Sequence, residues 1–332
     1  MEHRRNWRGH DEYFVKRQHL KLEDLRAAAE DFNERNPLLP TRDYIFQNLP
    51  PYPQPEFHVS HLKHDTDRVG LEGIKRDGGF RGPDSLQWWS LAVRPEDIAS
   101  AETRLLEETY PDRTEEQAQM QQSFLGRFAS SPAFLETSRL GSYRFTLPVE
   151  EVLDAYSKQF CSAAQPVMRV FKTVLYNQEV MYVVLVHSPA NQKYQDYPLL
   201  RDNPNAVCVY RDGRFIWRSQ AMCETHRYML VRRNDESQME VRDRCGRYPQ
   251  FYVWDNVAIA LDMEDEQVLK FEDDKLRGNL KFCRKGQAPF RGTHFENFKE
   301  AEEVVKDLWP EYQVLEKEQL AASPKTEPDC SD

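Results

Sequence analysis

Glycine is scarce, at 13 of 332 residues, and no Gly-x-Gly-x-x-Gly or Gly-x-x-x-x-Gly-Lys-Ser/Thr stretch occurs. The glycine-lined phosphate cradles of dinucleotide-binding dehydrogenases, kinases and P-loop NTPases are therefore disfavoured. The six cysteines, Cys161, Cys208, Cys223, Cys245, Cys283 and Cys330, form no Cys-x-x-Cys pair, so neither a zinc ribbon nor a disulfide framework is indicated. With no signal-peptide pattern at the N-terminus, they are expected to be reduced thiols in the cytosol, with the nucleus left open. No apolar run approaches the roughly 20 residues of a membrane-spanning helix, so no membrane partner is expected. A positive balance is also missing: the net charge of -10 gives no bulk attraction to nucleic acid or anionic lipid.

A packable core is present. Apolar residues make up 39% and aromatics 12% of the chain, and 332 residues suffice for two ordinary domains. Arg4, Arg5, Trp7 and Arg8 read as a basic, solvated N-terminal arm. Over residues 11–34, Leu22, Leu25, Ala29 and Phe32 recur at helical spacing. Between residues 36 and 55, Pro37, Pro40, Pro50, Pro51, Pro53 and Pro55 predict an extended linker, because proline fixes φ and donates no hydrogen bond.

From residue 56 the pattern alternates between short strands and helices. Residues 56–62 predict a strand, 65–75 a helix closed by Asp77-Gly78-Gly79, and 88–93 a second strand. Pro95-Glu96-Asp97 open a helix whose apolar face is Ile98, Ala101 and Leu105. Thr114-Glu115-Glu116-Gln117 is a capping-box pattern for another, lined by Met120, Phe124 and Phe128. Tyr143, Phe145 and Leu147 alternate as a strand, and Val149, Val152, Leu153 and Tyr156 follow on a helix. Residues 167–176 and 179–186 are β-rich runs joined at Asn177-Gln178. Asp212-Gly213 marks a hairpin between 207–210 and 214–217, and a second is predicted around Asn234-Asp235. Residues 251–254 and 257–261 add strands, and 295–309 an amphipathic helix. The fold class that results is α+β: a split antiparallel sheet with flanking helices, then a second antiparallel β-rich unit. The expected divisions are a helix and proline linker at 1–55, a first domain at 56–189, a β-rich unit with a terminal helix at 190–320, and a disordered tail at 321–332.

Three segments carry the candidate chemistry. The first is Phe57-His58-Val59-Ser60, followed by Gly73, Gly79 and Gly82. The second is Trp88-Trp89-Ser90-Leu91, leading into a helix with Asp97, Ala99 and Ala101. The third is Leu175 to Tyr182, containing Glu179. In this order they resemble the ADP-ribosyltransferase superfamily in its poly(ADP-ribose) polymerase-like branch, over about residues 56–188. That family has a first strand with His-x-Ser/Thr followed by a helix and a glycine loop. A second strand bears an aromatic and a small residue, and a late strand begins with the catalytic Glu. The resemblance implies NAD as substrate, no metal, and ADP-ribosyl transfer to a protein or nucleic-acid acceptor, mono-transfer rather than poly-transfer.

Cleavage of the nicotinamide–ribose bond passes through an oxocarbenium-like state that a carboxylate stabilises, the role that falls to Glu179. His58 and Ser60 would hold ribose or amide groups, and Trp89, beside Ser90, would stack on the cationic ring. Gly79 would admit backbone close to the dinucleotide. The chain departs from the family at Val59, where glycine is usual, at Trp88 or Trp89, where tyrosine is usual, and at Asn177-Gln178 before the Glu.

Two other clusters carry less. His58, His61, His64, Asp65 and Asp67 are dense, but His58 and His61 fall on opposite faces of one strand. Cys223 and His226 are three apart in a loop. The alternative to an enzyme is a binding module built on the C-terminal half. There Tyr210, Phe215, Trp217, Phe251, Tyr252 and Trp254 alternate with Arg211, Arg214, Arg218, Arg227, Arg232, Arg233, Arg242, Arg244 and Arg247, as in a surface that stacks bases beside a basic groove.

Overall fold

Alternating burial along the strands gives this chain a sheet with two unlike faces. The computed structural model describes residues 1–6, 11–20, 24, 27, 55–109, 111–112, 114–115, 125, 131–176, 179–202, 207–219, 221–223, 229–232, 239–242, 251–253, 255–263, 266–286 and 292–312. The first half carries β1 (Glu2–Arg5), β2 (Asp11–Lys16), β3 (Glu56–Val59), β4 (His61–Thr66), α1 (Arg68–Asp77), β5 (Gly79–Arg81), β6 (Leu86–Leu91) and α2 (Pro95–Thr109). It continues with β7 (Thr137–Ser138), β8 (Tyr143–Pro148), α3 (Val149–Phe160), β9 (Val167–Tyr176) and β10 (Glu179–His187). Then come β11 (Cys208–Arg211), β12 (Arg214–Arg218), β13 (Ala221–Cys223), β14 (Met229–Arg232), β15 (Met239–Arg242), β16 (Phe251–Val253) and β17 (Asp255–Asp262). The last elements are β18 (Val268–Lys270), α4 (Asp273–Gly278), β19 (Leu280–Phe282), β20 (Arg284–Lys285) and α5 (Phe298–Leu308).

The fold is α+β. Among the described residues, nine strands form one sheet in the order β1-β2-β9-β10-β17-β6-β4-β8-β19. Its neighbours run antiparallel except β10 and β17, which are parallel. A smaller sheet has the order β11-β12-β3, and the remaining strands pair two by two. The β-rich stretch expected from residue 190 onward contributes β17 and β19 to the same sheet as the first half, and its β11-β12 hairpin adds to β3. No helix among the described residues is long and apolar enough to cross a membrane.

Local signals explain most elements. The Asp67 carboxylate caps α1 by accepting from Gly70 N at 3.0 Å, and such caps are worth about 1 kcal/mol. Gly78 ends the helix at φ 67°, donating to Ile74 O. Asn297 and Glu300 form the capping box of α5. The turn between β11 and β12 places Asp212 at φ 51° and Gly213 at φ 75°, the left-handed pair that suits a tight hairpin.

Two expectations change. Residues Asp11–Lys16 are a strand, not the start of a helix, and with β1 they extend the sheet beyond β9. Arg4 and Arg5 of the expected basic arm therefore lie in paired strand; Asp24 and Ala27 are helical. The strand expected at 56–62 splits at Ser60: β3 joins the small sheet and β4 the large one. The expected linker, the helix after Thr114 and the tail fall largely outside the described residues.

Burial separates the faces. Leu62, Trp89, Leu91, Phe145, Leu147, Tyr182, Val184, Ile259 and Leu261 turn to the main core, where they meet Leu71 of α1, Phe80 of β5 and Val152 of α3. On the opposite face a smaller cluster holds Phe14, Val174, Val183, Leu185, Tyr194, Ala258 and Ala260, with Trp88, Phe171 and Met181 partly buried against it. Strand β10 is buried on both faces, which accounts for its unbroken apolar run.

Candidate functional site

The two tryptophans of β6 part company. Successive strand residues point to opposite faces, and the burial of β6 alternates accordingly. Trp89 is 1% exposed. Its ring lies 4.8 Å from Phe80 and 5.6 Å from His64, centroid to centroid, and its Nε1 is buried without an acceptor among the described residues. It is a core residue of the main cluster. Trp88 and Ser90 lie partly exposed on the other face. Ser90 pairs with Ala258 on one side and Lys63 on the other.

The other expected residues are distributed as follows. His58 lies on the small sheet opposite Ile216, with Nε2 2.8 Å from Glu56 Oε1. Glu56 also accepts from Arg218 at 2.8 Å; burial alone would raise its carboxyl pKa, but the bonds from His58 and Arg218 hold it below the usual value. Ser60 Oγ is 3.0 Å from His61 Nδ1 and accepts from Arg94 at 3.1 Å. Gly79 pairs with Lys270, and a Cβ there would fall 2.2 Å from Leu269 O, so the glycine admits protein backbone. Glu179 opens β10 opposite Tyr176. It stands four residues before Val183, whose register row runs through Ala258 to Ser90, an offset of about 13 Å along the strand. The structure thus puts Trp88 and Ser90 on one face of the sheet; the side chain of Glu179 lies outside the described residues. It puts Trp89 on the other face and His58 on a different sheet.

A motif missed by the choice of His58 is His64-Asp65-Thr66. It ends β4 and leads through Asp67 directly into α1 and the left-handed Gly78, the strand-helix-glycine order that His58 lacks. His64 Nδ1 donates to Trp88 O at 2.9 Å, burial lowers the pKa of the half-buried ring, and the ring packs against Phe80 and Trp89.

The remaining members of the dense histidine and aspartate cluster are otherwise engaged. Arg144 forks onto Asp65 at 2.6 and 2.8 Å and also donates to the carbonyls of Leu135 and Thr137. The Lys63 ammonium, beside them, donates to the carbonyls of Pro132 and Leu135. Burial is the main reason that its pKa falls to about 7. This network ties residues 132–137 to the sheet.

Two further polar residues stand on the Trp88 face. Lys172 of β9 is 8% exposed and Asn256 of β17 is 6% exposed. The Lys172 ammonium lies 5.2 Å from the Phe171 ring centroid, 5.7 Å from Trp88 and 5.9 Å from Phe14. No hydrogen bond or ion pair engages it among the described residues. Asn256 Oδ1 is buried without a donor among the described residues. The signal in the sequence was a lysine inside the β-rich run 167–176, and alanines at 258 and 260 that leave the sheet surface low.

In the C-terminal half, Phe215 and Trp217 are fully buried, with Trp217 packed against Phe57 and Phe134, so neither offers a face to a base. Arg211, Arg214 and Arg218 are exposed. Trp254, His226, Arg227, Arg233, Arg244 and Arg247 lie outside the described residues, as do the side chains of Cys223, Arg232, Arg242, Phe251 and Tyr252. No family model matches the chain, and neither a curated protein nor a solved structure matches it.

Proposed function

We propose that this chain transfers ADP-ribose from NAD to a protein or nucleic-acid acceptor, with the dinucleotide laid on the sheet face that carries Trp88 and Ser90. The observation that supports this reading best is a shared sheet. The strands bearing His64-Asp65-Thr66 and Trp88-Trp89-Ser90 are neighbours, and the strand opened by Glu179 lies two places from β6 in the same sheet. Strand, helix, glycine turn, strand and helix follow in the order of the resembled family.

The residues fit a nucleotide on one face and not on the other. Trp89 is enclosed by core side chains, so the stacking role passes from Trp89 to Trp88. On the Trp88 face the buried Asn256 Oδ1 lacks a donor among the described residues, which suits a ligand bearing an amide or hydroxyl. In the reaction the glycosidic bond to nicotinamide breaks, the ring leaves as a neutral pyridine with the bonding pair, and the acceptor adds to the anomeric carbon and gives up its proton. The part assigned to this chain is carboxylate stabilisation of the developing positive ribose by Glu179.

Calorimetric titration of the full chain with NAD tests the placement. Wild type should bind, Trp88→Ala should abolish binding while retaining its fold, and Glu179→Gln should still bind. No heat from wild type at millimolar NAD would overturn the proposal.

A further inference from the structure

Successive residues of a regular strand point to opposite faces, so a serine and the histidine after it do not normally meet. At Ser60 they do. The strand breaks there, with β3 ending at Val59 and β4 starting at His61. The break is held from two sides: Val149 N donates to Ser60 O and Ala92 N to His61 O, each at 2.9 Å. Ser60 Oγ comes to lie 3.0 Å from His61 Nδ1. Ser60, His61 and the neighbouring Arg94 are all partly exposed, so the group opens on solvent.

The hydrogen bonds have a direction. A guanidinium only donates, so Arg94, at 3.1 Å, occupies a lone pair of Ser60 Oγ. The hydroxyl proton is left for His61 Nδ1, the acceptor within its reach among the described residues. That arrangement needs a neutral ring. Burial is the main cause that lowers the His61 pKa, and Arg94 and Lys281 of β19 lower it further, against Glu96 of α2 and Glu151 of α3. The net direction is below the ordinary 6.5, so the ring is a free base at neutral pH. A serine hydroxyl bonded to a neutral imidazole and flanked by a cation has the parts of an activated nucleophile.

The surrounding charge selects the substrate. Arg94 Nη1 lies 2.9 Å from Glu96, and its Nε 3.7 Å from Asp97. Asp97 also accepts from Arg94 N at 3.0 Å. With these two carboxylates against one guanidinium, a phosphate dianion meets no net positive charge. A neutral carboxylic ester escapes that repulsion and develops a single oxyanion for Arg94 to face.

We infer that Ser60, His61 and Arg94 form a separate reactive site that hydrolyses small carboxylic esters through an acyl-serine. Ser60 Oγ bonds to the carbonyl carbon as its proton passes to His61 Nδ1, and the carbonyl π pair moves onto the oxygen beside Arg94. The pair returns, the bond to the alcohol oxygen breaks, and the alkoxide takes the proton from Nδ1. Water then adds to the acyl carbon while giving a proton to the same nitrogen. Ser60 Oγ leaves with that proton and the carboxylic acid is released. Neither NAD nor Glu179 takes part, so the site does not rest on the proposed transfer.

The probe is a fluorophosphonate, which modifies activated serines, applied to the native full chain and located by peptide mass spectrometry. Ser60 should carry the adduct. Ser100 is the internal control: it is exposed and accepts from Arg104 at 2.6 Å, but no histidine bonds it among the described residues. It should stay unmodified. Labelling of Ser60 should be half-maximal below pH 6.5 and level above neutrality, because the neutral His61 is the base. His61→Gln should slow it on the order of a hundredfold or more. Hydrolysis of p-nitrophenyl acetate should follow the same pH profile and be lost in Ser60→Ala. Should a variant fail to fold, the pH profile of wild type decides. No adduct on Ser60, equal modification of Ser100, or a rate that climbs with hydroxide without levelling would each reduce the contact to a structural tie and overturn the inference. A reactive Ser60 without nicotinamide release from NAD would remove the transferase reading and leave this one standing. NAD cleavage with an inert Ser60 would do the reverse.

Discussion

Replacing each neighbouring tryptophan by alanine should separate stability from ligand binding. Trp89 is 1% exposed and lies edge-on to Phe80 at 4.8 Å, inside the main core. Truncating an enclosed tryptophan removes its transfer free energy and leaves a cavity, together about 3–5 kcal/mol. Trp88 is partly exposed over a low floor of alanines, so its loss forfeits partial burial and the Lys172 contact, about 1 kcal/mol in total. Urea unfolding of both variants, with m-values checked against wild type, measures the two costs. Trp89→Ala should lose about three times as much stability as Trp88→Ala or more, while Trp88→Ala alone loses nucleotide binding in the native state. If Trp88→Ala costs as much as Trp89→Ala, the division of faces is wrong and the ligand surface with it.

Other consequences are equally direct. The Lys172 ammonium is disfavoured by folding, with a pKa of about 8 against roughly 10.4 unfolded, so in this window the unfolded chain binds more protons and the Lys172 contribution to stability rises with pH. Denaturant curves at pH 8 to 9.5 should therefore show wild type gaining on Lys172→Met by up to ~1.4 kcal/mol per pH unit, and parallel curves would refute the burial of that charge. Asp65→Asn leaves the Arg144 guanidinium buried beside an uncharged partner and should cost about 3–5 kcal/mol by thermal unfolding. The double variant Asp65→Leu/Arg144→Met should recover part of that loss, and a cost for Asp65→Asn below 1 kcal/mol would show the pair to be solvated. Gly79→Ala drives a Cβ to 2.2 Å from Leu269 O, whereas Gly78→Ala meets open space and only the strain of φ 67°. Thermal melts should rank Gly79→Ala as the more damaging, with Gly78→Ala near 1 kcal/mol.

Elements with local signals were legible in the sequence. Asp77-Gly78-Gly79 closes α1, although its start at Arg68 falls three residues after the expected one; the alternation of Tyr143, Phe145 and Leu147 gives β8, and Asp212-Gly213 sets the hairpin of β11 and β12. Elements defined by distant partners were not. Residues 11–16 become strand because β9 offers them an edge more than 150 residues away, as in Tyr13 opposite Leu175. Strand β17 looked like part of a later unit, yet it lies beside β10 in parallel and beside β6. The candidate site depends on distant partners in the same way. The Trp-Trp-Ser triplet could be read from the sequence, but which tryptophan faces a ligand depends on which side of the sheet α1, α3 and β5 cover. His64-Asp65-Thr66 was available to the sequence, since the helix begins two residues later. The surroundings of Lys172 and Asn256 were not, because they exist only once β9, β10 and β17 are assembled.

The most direct test of the account follows nicotinamide release from NAD by the full chain, with mass-spectrometric detection of ADP-ribose on protein or nucleic acid, in wild type and Glu179→Gln. The account predicts release and ADP-ribosylation by wild type, and a loss of both in Glu179→Gln with NAD binding retained. Equal release by the two proteins, or none by a wild type shown to be folded, would contradict it.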